Sequence, residues 1–373
     1  MVRVRVCMRV NNTFTHDARV YREAWALADA GYDVTVVADA ESGLPEREQV
    51  GEITVRRIRK TSRIPYRSII EPLREVHASI YHAHDIDSLL PCLAAAKLDR
   101  RGARVVYDSH ELWSGHSSDK LHAKRRMLVR AEGIMLRASD ALITASPAYT
   151  EVIVDRYGYK GPSMTLLNVP RFFSDEELRP SWEARDADPF IRVTAVGVFQ
   201  KGRGAVPLIR ALEFLPETYR IEFVGRIAQP EYEKLMRDTA APFGARVEFA
   251  GNVPPAQVVP KMATAHISTV LIEPISQSYR LTSPNKVFDS LMAGTPMVAS
   301  DMPTIAQFVR STGTGQVCDV TDPRDIARAI EAVYAARDTY RLAARAAARI
   351  YNWDSEKHKL LEAYERLSEG TAC

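Results

Sequence analysis

At 373 residues the chain is longer than one typical domain, and a composition 46% hydrophobic and 26% charged excludes a disordered chain. A formal net charge of +3 gives no reason to expect nucleic acid as a partner, and no apolar run approaches the ~18 residues that cross a membrane. Met1 to Val6 alternates arginine with valine instead of forming a signal-peptide core. Cys7, Cys92, Cys318 and Cys373 lack paired spacing, so a cytoplasmic chain without a zinc site or disulfide framework is expected.

Taken in order, Val2–Val10 reads as a strand and Asp17–Ala30 as a helix stopped by Gly31. Val34–Ala38 and Ile80–His84 read as buried strands, Leu89–Leu98 as a helix, and Ala103–Tyr107 and Ala141–Ala145 as further strands. This alternation predicts a parallel sheet with helices on both faces, whose ligands sit beyond the carboxyl ends of the strands. A break falls at Asn168–Pro170, and the acidic stretch Ser174–Pro189 follows it. Strands then resume at Ile191–Val196, Arg220–Val224, Val247–Ala250, Ile267–Leu271, Pro296–Ser300 and Gly315–Asp319, with helices at Ala205–Phe214 and from Pro323 to Tyr351. Two α/β domains are expected, over 1–170 and 171–353, and no short-period repeat is present.

Charge is spread unevenly. Residues 1–170 carry 25 Lys+Arg against 21 Asp+Glu, and the remainder 25 against 26. Arg56, Arg57, Arg59, Lys60, Arg63 and Arg67 form a run without an acid, and a second basic stretch spans Lys120 to Arg130. Solvated faces explain both; the alternative is a surface for an anionic acceptor or for anionic lipid on the inner membrane face.

Chemistry is sought in the loops after strands. Asp108-Ser109-His110-Glu111 follows the strand at 103–107, where a histidine can position a substrate hydroxyl or share in proton movement. A structural His110–Asp108 pair is the other explanation, and the position in the sheet favours the functional one. His82-Ala83-His84-Asp85-Ile86-Asp87 offers two carboxylates and two histidines, a weak set for a metal. Asp87 or Ser88 more simply caps the helix that follows, while His84 remains a candidate acceptor contact. Gly197-Val198-Phe199-Gln200-Lys201-Gly202-Arg203-Gly204 joins a strand to a helix; its glycines admit close backbone approach, and Lys201 and Arg203 supply charge for a phosphate. It is neither a P-loop nor a dinucleotide fingerprint. In Ser283-Pro284-Asn285-Lys286-Val287-Phe288-Asp289, Ser283 is the expected N-cap. The amides of Asn285 and Lys286 would face an anion, with Asp289 one turn further for ribose hydroxyls. A capped amphipathic helix without a ligand is the plainer alternative.

Together with Asp17-Ala18-Arg19-Val20, Phe223-Val224-Gly225, Phe249–Val253, Gly294-Thr295-Pro296 and Tyr351-Asn352-Trp353, these segments give nearly the whole chain a resemblance to the retaining GT-B glycosyltransferases of family 4. The resemblance implies an α/β GT-B fold: two Rossmann-like, doubly wound parallel-sheet domains facing a cleft, with the last helix, 354–373, returning to the first domain. It implies a nucleotide-diphosphate sugar donor in the second domain and a lipid, glycan or small-molecule acceptor in the first, without a metal or other cofactor. His110 and Arg203 would be catalytic, and Gly197, Lys201, Ser283, Pro284, Asn285, Lys286 and Asp289 would bind the donor. His16, Arg19, His84 and Glu111 would face the acceptor. The chain departs from the family at Leu281, where a glutamate is frequent, at Val198, where an arginine is frequent, and in the glycine-free loop Asn11–His16. A nucleotide-sugar epimerase or hydrolase, or an inactive binding scaffold of the same fold, are the competing expectations.

Overall fold

The apolar runs of the first half line up in an eight-stranded sheet in the computed structural model, which describes residues 3–15, 17–59, 67–115 and 122–369. The chain divides into two units, Met1–Leu167 with Glu356–Cys373, and Asn168–Ser355.

The first unit runs β1 (Arg5–Arg9), α1 (Ala18–Asp29), β2 (Asp33–Asp39), β3 (Arg47–Val50), β4 (Ile53–Ile58), α2 (Arg67–Arg74), β5 (Ile80–His84), α3 (Ile86–Asp99), β6 (Arg104–Ser109), α4 (His122–Arg137), β7 (Ala141–Thr144), α5 (Pro147–Tyr157) and β8 (Ser163–Thr165). The sheet order is β3-β4-β2-β1-β5-β6-β7-β8, so the winding reverses between β1 and β5. Sequence predicts a wholly parallel sheet; the structure adds an antiparallel edge, with Arg47 opposite Arg56 and Val50 opposite Ile53. Helix α1 forms because Asp17 accepts from the Val20 amide at 3.1 Å and Val20, Ala24, Leu27 and Ala28 give it a buried stripe. Each such large aliphatic side chain contributes ~1.5–3 kcal/mol on burial.

The second unit runs α6 (Asp175–Asp186), β9 (Ile191–Val196), α7 (Ala205–Arg210), β10 (Tyr219–Val224), α8 (Pro230–Ala240), β11 (Val247–Gly251), α9 (Val258–Ala263), β12 (Ile267–Val270), α10 (Gln277–Arg280), α11 (Asn285–Ala293), β13 (Met297–Ser300), α12 (Pro303–Thr312), β14 (Gly315–Cys318), α13 (Pro323–Ala335) and α14 (Arg337–Ala348). The expected helix 205–214 is α7 followed by a tighter 3₁₀ turn, Ala211–Phe214. All pairs in the sheet β11-β10-β9-β12-β13-β14 are parallel, and the winding reverses between β9 and β12. Its core packs Val193, Ile221, Ile267 and Val298 from four strands under Leu208, Ile209, Ile326 and Ile330. The last helix, α15 (Trp353–Glu369), buries Leu360 and Tyr364, and its Glu356 accepts from the Leu167 amide at 2.8 Å within the first unit.

No helix among the described residues is long and apolar enough to cross a membrane. The basic run is partly internal. Arg57 is buried, bound to Glu48 at 2.8 Å and to the Pro45 carbonyl, and Arg56 pairs with Glu75 at 2.7 Å. Arg67 reaches Glu71 at 3.5 Å. Lys60, Arg63, His16, Lys120 and the side chains of Lys124, Arg125 and Arg126 lie outside the described residues.

Candidate active site

Each sheet gathers its polar side chains where its winding reverses, the place where neighbouring loops part and leave room for a ligand. In the first unit, β5 points His82 and His84 to one face, because side chains two apart on a strand share a side. Strand β6 runs two residues further than sequence predicts and carries Asp108, fully buried, beside them. His110 follows at its end with one fifth of its side chain exposed.

These groups converge on one oxygen. Asp108 Oδ2 lies 3.1 Å from His110 Nε2, 3.3 Å from His84 Nδ1 and 3.7 Å from His82 Nε2, and it accepts from Arg19 Nε at 2.9 Å. Burial alone would raise the Asp108 carboxyl, but the charges of Arg19 and His110 hold it well below the usual range. His110 faces Asp85 with its other nitrogen at 3.6 Å. Burial opposes its charge, yet Asp85 and Asp108 outweigh that and raise its pKa to about 9, so it is an imidazolium at neutral pH. His84 goes the other way: burial and His82 push it down to about 3. One proton is therefore held at His110, between two carboxylates and a neutral histidine.

The same cluster tests for a metal. Among the described residues, Glu23, His82, His84 and Asp108 each offer a ligand atom, all within 4.8 Å of one another. Arg19 already stands among them, with Nε 3.0 Å from Glu23 and both Asp108 oxygens bound. A divalent ion would add two charges beside that guanidinium and the His110 imidazolium, which the two carboxylates do not offset. The set is filled by an internal cation.

Arg19 is thereby corrected from an acceptor contact to a buried ion-pair centre. It is 4% exposed, and its remaining donor goes to the Leu166 carbonyl at 2.7 Å. His84 is likewise enclosed and meets His110 rather than solvent. Glu111 is exposed beyond the strand. Neither Asp87 nor Ser88 caps α3. Asp85 occupies the N-cap at φ +62°, leaving its carboxylate to accept from the His110 amide at 2.9 Å. The His110–Asp108 pair weighed as a structural alternative is present, and it is what gives His110 its charge.

In the second unit the strand ends are stripped of side chains. A Cβ on Gly225 would fall 1.9 Å from the Gly197 carbonyl oxygen, and one on Gly197 would fall 2.8 Å from Lys286 Cε. Glycine at 197 therefore lets Lys286 lie across the end of β9. Arg203 stands beside it, its guanidinium 4.9 Å from the Tyr279 ring centre and its Nε buried without a hydrogen-bond partner. The Gln200 amide donates to the Tyr279 hydroxyl at 3.1 Å, and the Glu273 amide to the Gly202 carbonyl at 3.0 Å, so the loops after β9 and β12 are joined. Among the described residues neither Arg203 nor Lys286 forms an ion pair. Burial, then the Arg203 charge, lower the Lys286 pKa to about 7.

Helix α11 aims at the same place. Its N-cap is Pro284 rather than the expected Ser283: Pro284 is itself extended, at φ −74° and ψ 142°, so the helix starts at Asn285. Proline has no side-chain oxygen to offer, so no side chain caps the first amides, those of Asn285 and Lys286 among them. Val287, Phe288, Leu291 and Met292 anchor the other face. Asp289 lies one turn in, half-buried, and Lys201 is exposed at the turn. Sequence reasoning brought together Gly197, Arg203, Lys286 and the α11 N-terminus; it missed Glu23, Tyr279 and Tyr364, and weighed Asp85 only as a weak metal ligand. Only Glu23 had a local signal, four residues after Arg19 on one helix face.

Two family models match the chain: Glycosyltransferase Family 4 over residues 18–167 and Glycosyl transferases group 1 over residues 191–336. No curated protein matches it. Among solved structures, it is similar to sucrose-phosphate synthase from Thermosynechococcus elongatus, at 17% identity and TM-score 0.79, over 99% of this chain and 100% of that one. It is similar to Anabaena HepE in complex with UDP-glucose, at 14% identity and TM-score 0.75, over 97% and 99%. A glycosyltransferase from Rickettsia africae gives 13% and 0.75, over 98% and 99%.

Proposed function

The chain belongs to the GT-B glycosyltransferases of family 4 and group 1, and from that premise we propose that it moves a sugar from a nucleotide-diphosphate donor to an acceptor hydroxyl, with retention and without a divalent metal. One observation carries this reading: Arg203 and Lys286 stand together at the uncapped N-terminus of α11, and among the described residues neither forms an ion pair, although Asp289 one turn on acts on Lys286. Two cations and a set of amides at one point suit a diphosphate. The UDP-glucose held by HepE supports a donor of this class.

In the proposed reaction the glycosidic bond to the diphosphate stretches and the sugar gains oxocarbenium character. Charge then builds on the departing diphosphate, where Arg203, Lys286 and the Asn285 and Lys286 amides stabilise it more than in the ground state. Asp289 would accept from ribose hydroxyls, and His110, as an imidazolium, would bind a hydroxyl of the transferred sugar. Arg19 supports the absence of a metal, since it already serves as the cation of the one carboxylate–histidine cluster found among the described residues.

Calorimetric titration with UDP-, GDP-, ADP- and dTDP-sugars tests the reading. Submillimolar binding of one donor that persists in chelator is expected; no binding below millimolar rejects it. Product analysis separates transfer from epimerisation or hydrolysis, and the product anomer tests retention.

For peripheral contact with an anionic membrane, the support lies on α4 rather than on Arg56 and Arg57. Met127, Leu128 and Ile134 are exposed there beside Arg130, while the helix's one acid, Glu132, is buried and accepts from Tyr107 and Tyr157. Cosedimentation with anionic but not neutral vesicles, lost on Met127→Ser with Ile134→Ser, is expected; equal sedimentation with both vesicles counts against it.

A further inference from the structure

The buried histidines of β5 connect His110 to the last helix. Tyr364 on α15 is fully buried, and its hydroxyl lies 2.6 Å from His82 Nδ1. Burial holds that phenol protonated, so it donates, and His82 must carry its own proton on Nε2. That N–H faces Glu23 and Asp108, each at 3.7 Å. The His82 ring stacks on His84 with centroids 4.2 Å apart and 18° between planes. His84 Nδ1 in turn lies 3.1 Å from His110 Nε2 and 3.3 Å from Asp108 Oδ2.

A packing role alone does not explain the hydroxyl. The Tyr364 ring already meets Tyr32 edge-on at 5.6 Å, a contact that phenylalanine would also make. A hydroxyl taken out of water costs ~1–3 kcal/mol unless it is bonded, and here its partner is the one ring that faces both carboxylates of the cluster.

We propose that Tyr364 is a positioning residue for His110: its hydroxyl fixes the tautomer of His82, and the stacked His82–His84 pair with Asp108 then holds the His110 ring in place. The proposal rests on the transferase reading of His110, so one of its tests needs no turnover. The charged groups around His110 are Asp17, Arg19 and Glu23 from α1, Asp85 at the end of β5 and Asp108 on β6. Of these, His82 Nε2 faces Glu23 and Asp108 alike, and Asp108 is the one that also bonds His110, at 3.1 Å. Without an oriented His82 Nε2–H, Asp108 attracts the His110 proton more strongly.

Tyr364→Phe is the direct variant. It is expected to lower kcat about tenfold with donor KM within about twofold, and to move the His110 imidazole titration, followed by NMR, upward from about 9. Unchanged kcat together with an unchanged titration overturns the proposal. A moved titration with full turnover keeps the positioning role and removes His110 from the chemistry. If Tyr364→Phe does not fold, His82 decides: His82→Leu should reproduce the loss, and His82→Gln, which returns an N–H near the Nε2 position, should recover most of it. Equal activity in these two variants overturns the proposal.

Discussion

The two clusters use the same kinds of charged group to opposite ends. In the first unit Arg19 is sealed among Glu23, Asp108 and a backbone carbonyl, and the surrounding histidines divide into two neutral and one charged. In the second unit Arg203 and Lys286 face each other, with burial and mutual repulsion draining the lysine's charge. The first cluster is complete without a ligand; the second is a pair of cations that an anion would relieve. Full internal pairing gives fixed geometry, and withheld pairing gives binding.

Truncating both arginines in the same way is the sharpest test of that contrast. Arg19→Met leaves Asp108 buried without its main counter-charge, and should cost about 3–5 kcal/mol in a denaturant melt. Arg203→Met removes a repulsion and one ring contact, so stability should stay within about 1 kcal/mol. Similar losses from both would erase the distinction. Turnover should reverse the order of importance: a folded Arg203→Met protein is expected to lose about 10²–10³-fold in kcat, the effect of removing one donor from a developing anion. Near-normal kcat would take Arg203 out of the site.

The contrast was half visible in the sequence. Strands Ile80–His84 and Ile191–Val196 fall where their apolar runs end, because central parallel strands are buried on both faces. The edge strand Arg47–Val50 has one apolar residue and no such run, so its hairpin was not legible. Glycines, cations and a helix start lie within short stretches, which made the second site readable. The first site is assembled from α1, β5, β6 and α15, and the bond between His82 and Tyr364 spans 282 positions. Nothing local marks Arg19 as internal except Glu23 one turn on, and its main partner Asp108 is 89 residues away. Distance along the chain, not weak chemistry, hid that half.

Proton linkage gives the smallest effect and the most specific one. Lys286 is lowered to about 7 in the free protein, against 10.5 for an ordinary lysine. A bound diphosphate favours the charged form, so binding takes up a proton once pH exceeds the free-state pKa. Affinity is then full below pH 7 and falls as pH rises, by about tenfold between pH 6 and pH 8 for one such group. A nucleotide sugar is the proper probe, because its diester diphosphate does not titrate in that window. Calorimetry in two buffers of different ionisation enthalpy should show proton uptake at pH 8 and little at pH 6. The fall should flatten in Lys286→Arg, whose charge does not titrate, and shift to higher pH in Arg203→Met, which removes the second of the two causes lowering Lys286 and leaves its burial. Equal affinity at both pH values in the unmodified protein would mean that Lys286 is already charged, and that the second cluster is no less satisfied than the first.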